Sequence, residues 1–154
     1  MSDELKRLPR EVFPAFRQVP TRWADNDLYG HVNNVVYYAF FDTAVNTELI
    51  SRDLLDPHRG DPVYVVAETR CRYFASLAFP TAVDIGIGVE RLGRSSVTYL
   101  LAAYAAGSAE AAATCRFVHV CVDRHHQRPQ AIPAAWRAVF EQELALRVGD
   151  AARG

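Results

Sequence analysis

Cysteine is scarce. Cys71, Cys115 and Cys121 are the only three in 154 residues, with no C-x-x-C pair, and each lies in an apolar, strand-like segment. A disulfide scaffold is excluded, and reduced core thiols are expected. Basic excess is also missing, with 17 lysines and arginines against 18 acids, which removes the footprint of a general nucleic-acid binder. No stretch approaches the roughly 20 apolar residues of a membrane span. The N-terminus carries Asp3, Glu4, Pro9 and Pro14 in place of a signal peptide's apolar run, so a cytoplasmic chain is expected. Also absent are a G-x-S-x-G nucleophile elbow and a G-x-x-x-x-G-K-[ST] phosphate loop. GIGVERLG begins G-x-G, but Arg91 stands at the sixth position where a glycine or alanine is needed, and it runs along a predicted strand, so it reads as structural. In CRFVHVC, Cys115 and His119 would stand about 13 Å apart along a strand, too far to share a zinc ion, which favours core packing.

What is present is a regular succession of elements without internal repeats, broken only by an alanine-rich patch at 109–113. Phe16 to Trp23 reads as a short strand. After a polar loop, Val32, Val35, Val36, Ala39, Phe40, Thr43, Ala44 and Thr47 recur at the spacing of one helical face. Tyr37, Tyr38, Phe41 and Val45 make the other faces apolar as well. This predicts a helix from about Asn33 to Ser51, roughly 28 Å long and buried on most sides.

Four strand patterns follow. Alternation over Val63 to Phe74 sends Val65, Ala67, Thr69, Cys71 and Tyr73 one way and Val66, Glu68, Arg70 and Arg72 the other. The second runs from Thr81 to Glu90, with Val83, Ile85, Ile87 and Val89 on one face. Ser96 to Ala105 and Ala111 to Asp123 complete the set. Short links containing glycine or proline make these four antiparallel neighbours. An amphipathic helix from Pro133 to Leu146, with proline in its first turn, closes the chain. The order predicts one α+β domain over 1–154, with an ordered core at about 14–147. Its five-stranded antiparallel sheet wraps around a long central helix, and a C-terminal helix is added.

Polar chemistry concentrates at the entrance of the long helix, in WADNDLYGHVNN. Asp and Asn are turn formers, Gly30 suits a left-handed backbone and Asn33 suits a helix cap. A turn alone does not call for Asp25, Asp27 and His31 together. The first amides of a helix lack intrahelical acceptors and carry partial positive charge, so they can stabilise an oxyanion. Asp27 just ahead of them could attack a polarised carbonyl or deprotonate water. A carboxylate and a helix start suffice for acyl transfer.

The run D-x-D-x-x-G-H-V-N-N-x-x-Y, present as Asp25, Asp27, Gly30, His31, Val32, Asn33, Asn34 and Tyr37, resembles the signature of the 4-hydroxybenzoyl-CoA thioesterase-like branch of the hotdog-fold acyl-CoA thioesterases. ETRCRYFASLAFPTAVDIGIGVERLGRSSVTY is similar to that family's second and third strands, and FVHVCVDRHHQRPQAIP to its last strand and exit. The resemblance implies hydrolysis of an acyl-CoA thioester, with CoA part of the substrate and no separate cofactor or metal. By position it makes Asp27 the catalytic carboxylate, as nucleophile or general base, and Asp25 a supporting acid. The amides near Asn33 and Asn34 would form the oxyanion hole. His31 matches the H-V-N variant and would orient the thioester or Asp27; a histidine at a helix start also serves as a structural hydrogen-bonding partner. Relatives with histidine at the Asn34 position differ here, and that histidine's role does not carry over.

For substrate binding, Tyr37 lies one turn beyond Asn33, where core packing also suits a tyrosine. Arg70 and Arg72 share a strand face, Arg91 and Arg94 flank a turn, and Ser95 and Ser96 are near them. Guanidinium forks and hydroxyls suit the phosphates of CoA, and equally a solvated surface. Two other readings stay open: a metal-dependent hydrolase using Asp25, Asp27 and His31 as ligands, and a non-catalytic acyl-CoA or acyl-carrier binding module. A homodimer or homotetramer is expected, because a single curled sheet leaves an edge and apolar residues such as Val66 remain outside the helix contact.

Overall fold

In the computed structural model, residues 8–147 are described; the first seven and last seven residues, part of the single-domain expectation, lie outside them. The strands are β1 (Ala15–Val19), β2 (Val63–Tyr73), β3 (Val83–Leu92), β4 (Ser96–Ala105) and β5 (Ala113–Val122). The helices are α1 (Asn34–Ser51) and α2 (Ala134–Gln142). All strand pairs are antiparallel, in the order β1-β3-β4-β5-β2. This is the hotdog arrangement, with the sheet curled around α1.

Several expectations need correction. β2 is not a neighbour of β3, whose two edges are taken by β1 and β4; the segment 74–82 crosses the sheet and leaves β2 paired to β5 as an outer strand. β1 stops at Val19, before Pro20, and Trp23–Asp25 forms a 3-10 turn. The face assignment in β2 holds only beyond Glu68. A bulge between Val66 and Glu68 inserts one residue and resets the alternation. Tyr64 and Val66 therefore pair with Cys121 and His119 on the helix side, as do Thr69 and Cys71 with Phe117 and Cys115, while Val65 turns outward.

α1 buries one face, not most of its circumference. Tyr37, Phe40, Phe41, Ala44, Val45, Glu48 and Leu49 recur at helical spacing and pack on the sheet. Val35 is 61% exposed, and Ala39, Thr43 and Thr47 of the expected seam also face outward. The larger side chains fill the concavity against Val83, Ile85, Ile87, Leu101 and Phe117, leaving the smaller ones outside. Buried Glu48 is tolerated because Arg17 and Arg52 each donate to its carboxylate at 2.6 Å, fastening α1 to β1 and to the turn that follows.

On the other face of the sheet, Phe13, Leu100, Ala102, Tyr104 and Ala111 form a second cluster with Leu8, Val12 and Leu146. Gly86 and Gly88 of GIGVERLG face it: a Cβ on Gly86 would lie 2.7 Å from the Phe13 ring. α2 is shorter than expected, with Pro133 as its N-cap. Past its end, Leu144 accepts from the Val89 amide at 2.7 Å and Leu146 donates to Val89 at 3.1 Å, so the chain finishes in extended form beside β3.

Under α2, Tyr64, Tyr99 and His119 pack together with Phe117, Trp136 and Phe140. Burial lowers the His119 pKa to about 4, so the unfolded chain takes up a proton that the native core refuses. The stability this group permits is full above about pH 6.5, falls as the pH drops towards 4, and is level below that. At pH 5 about 2 kcal/mol should be lost from this cause relative to pH 7. Urea denaturation of His119→Phe at the two pH values should show that share of the loss removed; an unchanged pH dependence would contradict it.

Candidate active site

The loop before α1 is built by short-range hydrogen bonds. The carboxylate of Asp25, only 1% exposed, accepts from the Arg22 amide at 2.7 Å and from the Arg22 guanidinium at 2.8 and 3.1 Å. Its carbonyl accepts the Asn33 amide at 2.9 Å, and Val32 donates to the carbonyl of Leu77 at 2.7 Å. Asn26 accepts from the Phe79 amide at 3.1 Å. Between these anchors the chain doubles back: Asp27 donates to the His31 carbonyl at 2.8 Å and Gly30 donates to the Asp27 carbonyl at 3.1 Å. Gly30 takes a φ of 82° there, which an L side chain rarely adopts.

Asn33 caps α1, its side chain accepting from the Val35 amide at 3.2 Å. Its own amide is committed to Asp25, so of the two expected oxyanion donors the amide of Asn34 is the one without an acceptor among the described residues. Asp27 is partly buried, and one carboxylate oxygen accepts from the Tyr29 amide at 2.8 Å. It forms a wall shared by two cavities. One, of about 230 Å³, is also lined by His31, Val32, Asn34, Tyr37, Tyr73, Ala75 and Ser76; the other, of about 610 Å³, by Trp23, Asn26, Leu28 and Gly30.

The structure thus brings together Asp27, His31, Asn34 and Tyr37 around one space, with Asn33 as the cap that sets its backbone. Tyr73 belongs there too and was given no site role from the sequence. Its hydroxyl donates to the Asn34 carbonyl at 3.0 Å and its ring meets Tyr37 edge-on at 5.1 Å. Burial raises its pKa first of all, keeping the hydroxyl a donor. The available signal was its shared face with Cys71 at the end of β2.

Arg70 and Arg72 are not beside Asp27 in the same chain. They lie on the opposite face of the sheet with Leu100, Thr114 and Arg116. Arg70 approaches Glu68 at 3.4 Å, and Arg116 pairs with Glu90 at 2.9 and 3.0 Å. Arg94 lies in the β3–β4 turn, where its carbonyl accepts from the Ile132 amide at 3.0 Å, and Ser96 opens β4. Ala103, at the α1 entrance end, is seven residues along β4 from Ser96, about 23 Å. Nor does Asp25 join Asp27 and His31 as a ligand, since Arg22 occupies its carboxylate. Among the described residues no three His, Cys, Asp or Glu side chains are grouped to hold a metal ion, and no helix is long and apolar enough to cross a membrane.

A carboxylate and a helix N-terminus thus line one cavity on a hotdog scaffold. The family model described as Thioesterase-like superfamily matches residues 21–140, and the chain belongs to that family as a thioester hydrolase. The PA5185 protein from Pseudomonas aeruginosa is 50% identical, with TM-score 0.84, covering 89% of this chain and 96% of its own. A thioesterase from Thermus thermophilus, solved with coenzyme A and zinc, is 29% identical at TM-score 0.72, covering 85% and 95%. A 1,4-dihydroxy-2-naphthoyl-CoA thioesterase from Synechocystis shares the fold at 17% identity and TM-score 0.74, covering 82% and 95%. No match is found among curated proteins.

The two acids of the motif should separate in a stability measurement. Asp25→Asn removes charge from a buried, fully engaged carboxylate and should cost about 1–3 kcal/mol. Asp27→Asn, at a partly exposed position with one local hydrogen bond, should stay within about 0.5 kcal/mol of the parent. Urea denaturation of both variants reads the difference, and equal losses would contradict the division of roles.

Proposed function

We propose that the chain hydrolyses acyl-CoA thioesters to the free acid and CoA. The observation that carries this is the convergence of the Asp27 carboxylate and the unacceptored Asn34 amide on one cavity at the start of α1. In this reading the thioester carbonyl oxygen takes the Asn34 N–H, aided by the helix dipole, and negative charge developing on it is stabilised. Asp27 attacks the carbonyl carbon or deprotonates the water that does so. His31 orients the thioester, Asn33 holds the backbone at the donor, and Tyr37 forms an apolar wall. No separate cofactor or metal enters the proposed chemistry.

The acyl group would continue from this cavity along the open side of α1. There Tyr38, Ala39 and Asp42 face Val66, Thr69 and Phe117 across a groove of about 460 Å³. The exposed Trp23, Leu28, Tyr29 and Val35 near the entrance, together with the free edge of β2, support association with a second copy as a homodimer or homotetramer. In such an assembly Arg70, Arg72, Arg94 or Ser96 of a neighbouring copy could hold the CoA phosphates of this site, which one chain by itself does not arrange.

A panel of short, long and aryl acyl-CoAs should reveal turnover, and Asp27→Ala should lower kcat on the best substrate roughly 10²–10⁴-fold. Full turnover by that variant would refute the assignment of Asp27, and saturable binding without hydrolysis across the panel would point instead to a binding module. Sedimentation should give a dimer or tetramer; a strictly monomeric, fully active protein would remove the need for a neighbouring copy.

A further inference from the structure

Cys71 and Cys115 are direct partners across the β2–β5 ladder, with both side chains on the α1 face. The hydrogen-bond phase of that ladder can be read from its surroundings. Cys121 donates to the Ser95 carbonyl at 2.7 Å, so every second residue back along β5, Cys115 included, turns its amide towards β4. On the other side, Phe74 donates to the Ala112 carbonyl at 2.8 Å, which places the bonded pairs of β2 at Phe74, Arg72 and Arg70. Cys71 and Cys115 therefore form a non-hydrogen-bonded pair, the position where Cα atoms approach to about 4.5 Å and side chains come closest. A disulfide bridges Cα separations of about 4.4 to 6.8 Å, so this pair can be joined without a shift of register.

The surroundings divide the two thiols. Cys71 is on an outer strand and half-buried, whereas Cys115 is buried. The adjoining Cys115 first, with the Tyr38 hydroxyl nearby, outweighs burial and brings the Cys71 thiol below its ordinary range. The same contact with Cys71, together with burial, drives Cys115 upward. The thiolate is the reactive form, so the accessible cysteine is also the activated one. Cys121 is paired in register with Tyr64 and has no cysteine opposite it.

We propose that Cys71 is an oxidation site for hydroperoxides, with Cys115 as its resolving thiol, and that the two close reversibly into a cross-strand disulfide. The Cys71 sulfur attacks the O–O bond; an S–O bond forms, the O–O bond breaks, and the departing alkoxide leaves as an alcohol, or as water when the oxidant is hydrogen peroxide, with the proton that Cys71 gave up. Cys115 then attacks the sulfenic sulfur, the S–O bond breaks, and hydroxide leaves as water with the Cys115 proton. Two thiols are oxidised and one peroxide is reduced. The site lies between Thr69, which lines the groove beside α1, and Tyr73, which lines the cavity at Asp27.

The test uses the native purified protein, hydrogen peroxide, alkylation of the remaining thiols and peptide mapping, with no dependence on thioester turnover. The expected result is the loss of two thiols per chain, a linked Cys71–Cys115 peptide that dithiothreitol releases, and an alkylated Cys121. Cys115→Ser should stop at a sulfenic acid on Cys71 that dimedone captures, and Cys71→Ser should leave Cys115 reduced under the same exposure. Oxidation of Cys71 to sulfinate without the link, a link through Cys121 or between chains, or an unreacted Cys71 where free glutathione is consumed would each overturn the proposal. Because turnover is never read, such a failure leaves the thioesterase reading intact.

Discussion

The entrance of α1 depends on one buried carboxylate residue. Asp25 binds Arg22 through its side chain and Asn33 through its carbonyl, which closes the loop on itself and sets the direction in which the helix starts. That single residue determines where Asn34 presents its amide and how Asp27 is carried to the cavity. Its own carboxylate is consumed by the task. The two acids of the motif therefore differ in place: one is spent on architecture, while the other, two residues on, stays partly exposed at the cavity wall. The helix macrodipole, anchored by the aromatic face of α1 in the concave sheet, adds a field in the same direction.

Much of this was legible in the sequence because it obeyed short periods. The alternation of Val83, Ile85, Ile87 and Val89 marks a strand buried on one side, and those four residues are 0 to 8% exposed. The limits of β4, Ser96 and Ala105, also match the expectation. The motif around Asp27 could be located because its residue types are uncommon together before an apolar helix. What could not be read was whatever depends on partners distant in the chain. One bulge at 66–68 exchanges the faces of Val65 and Val66, and no alternation rule signals it. The placement of β2 beside β5 follows from β3 having both edges taken, a competition among strands that no single segment records.

The helix face shows the same limit. α1 is apolar nearly all round, so its pattern could not indicate which apolar stripe meets the sheet. The choice was made by volume, since Tyr37, Phe41, Val45 and Leu49 fill the curl and Ala39, Thr43 and Thr47 do not. For the site, Asn33 and Asn34 were indistinguishable as amide donors in sequence; the backbone separates them by giving one of the two an acceptor. The arginines show the reverse case, since residue type suggested phosphate recognition while topology puts Arg70 and Arg72 on the face away from Asp27.

Both ends of the described chain fold back over the same side of the sheet. Leu8, Val12 and Phe13 from one end and Leu146 from the other roof over β3 and β4, so that half of the outer face is already occupied by the chain itself. The part left bare is the strip of β2 and β5 carrying Arg70, Arg72 and Arg116. Any further layer stacked on this face would have to settle off-centre, over a strip where the arginines are interleaved with Glu68 and Glu90.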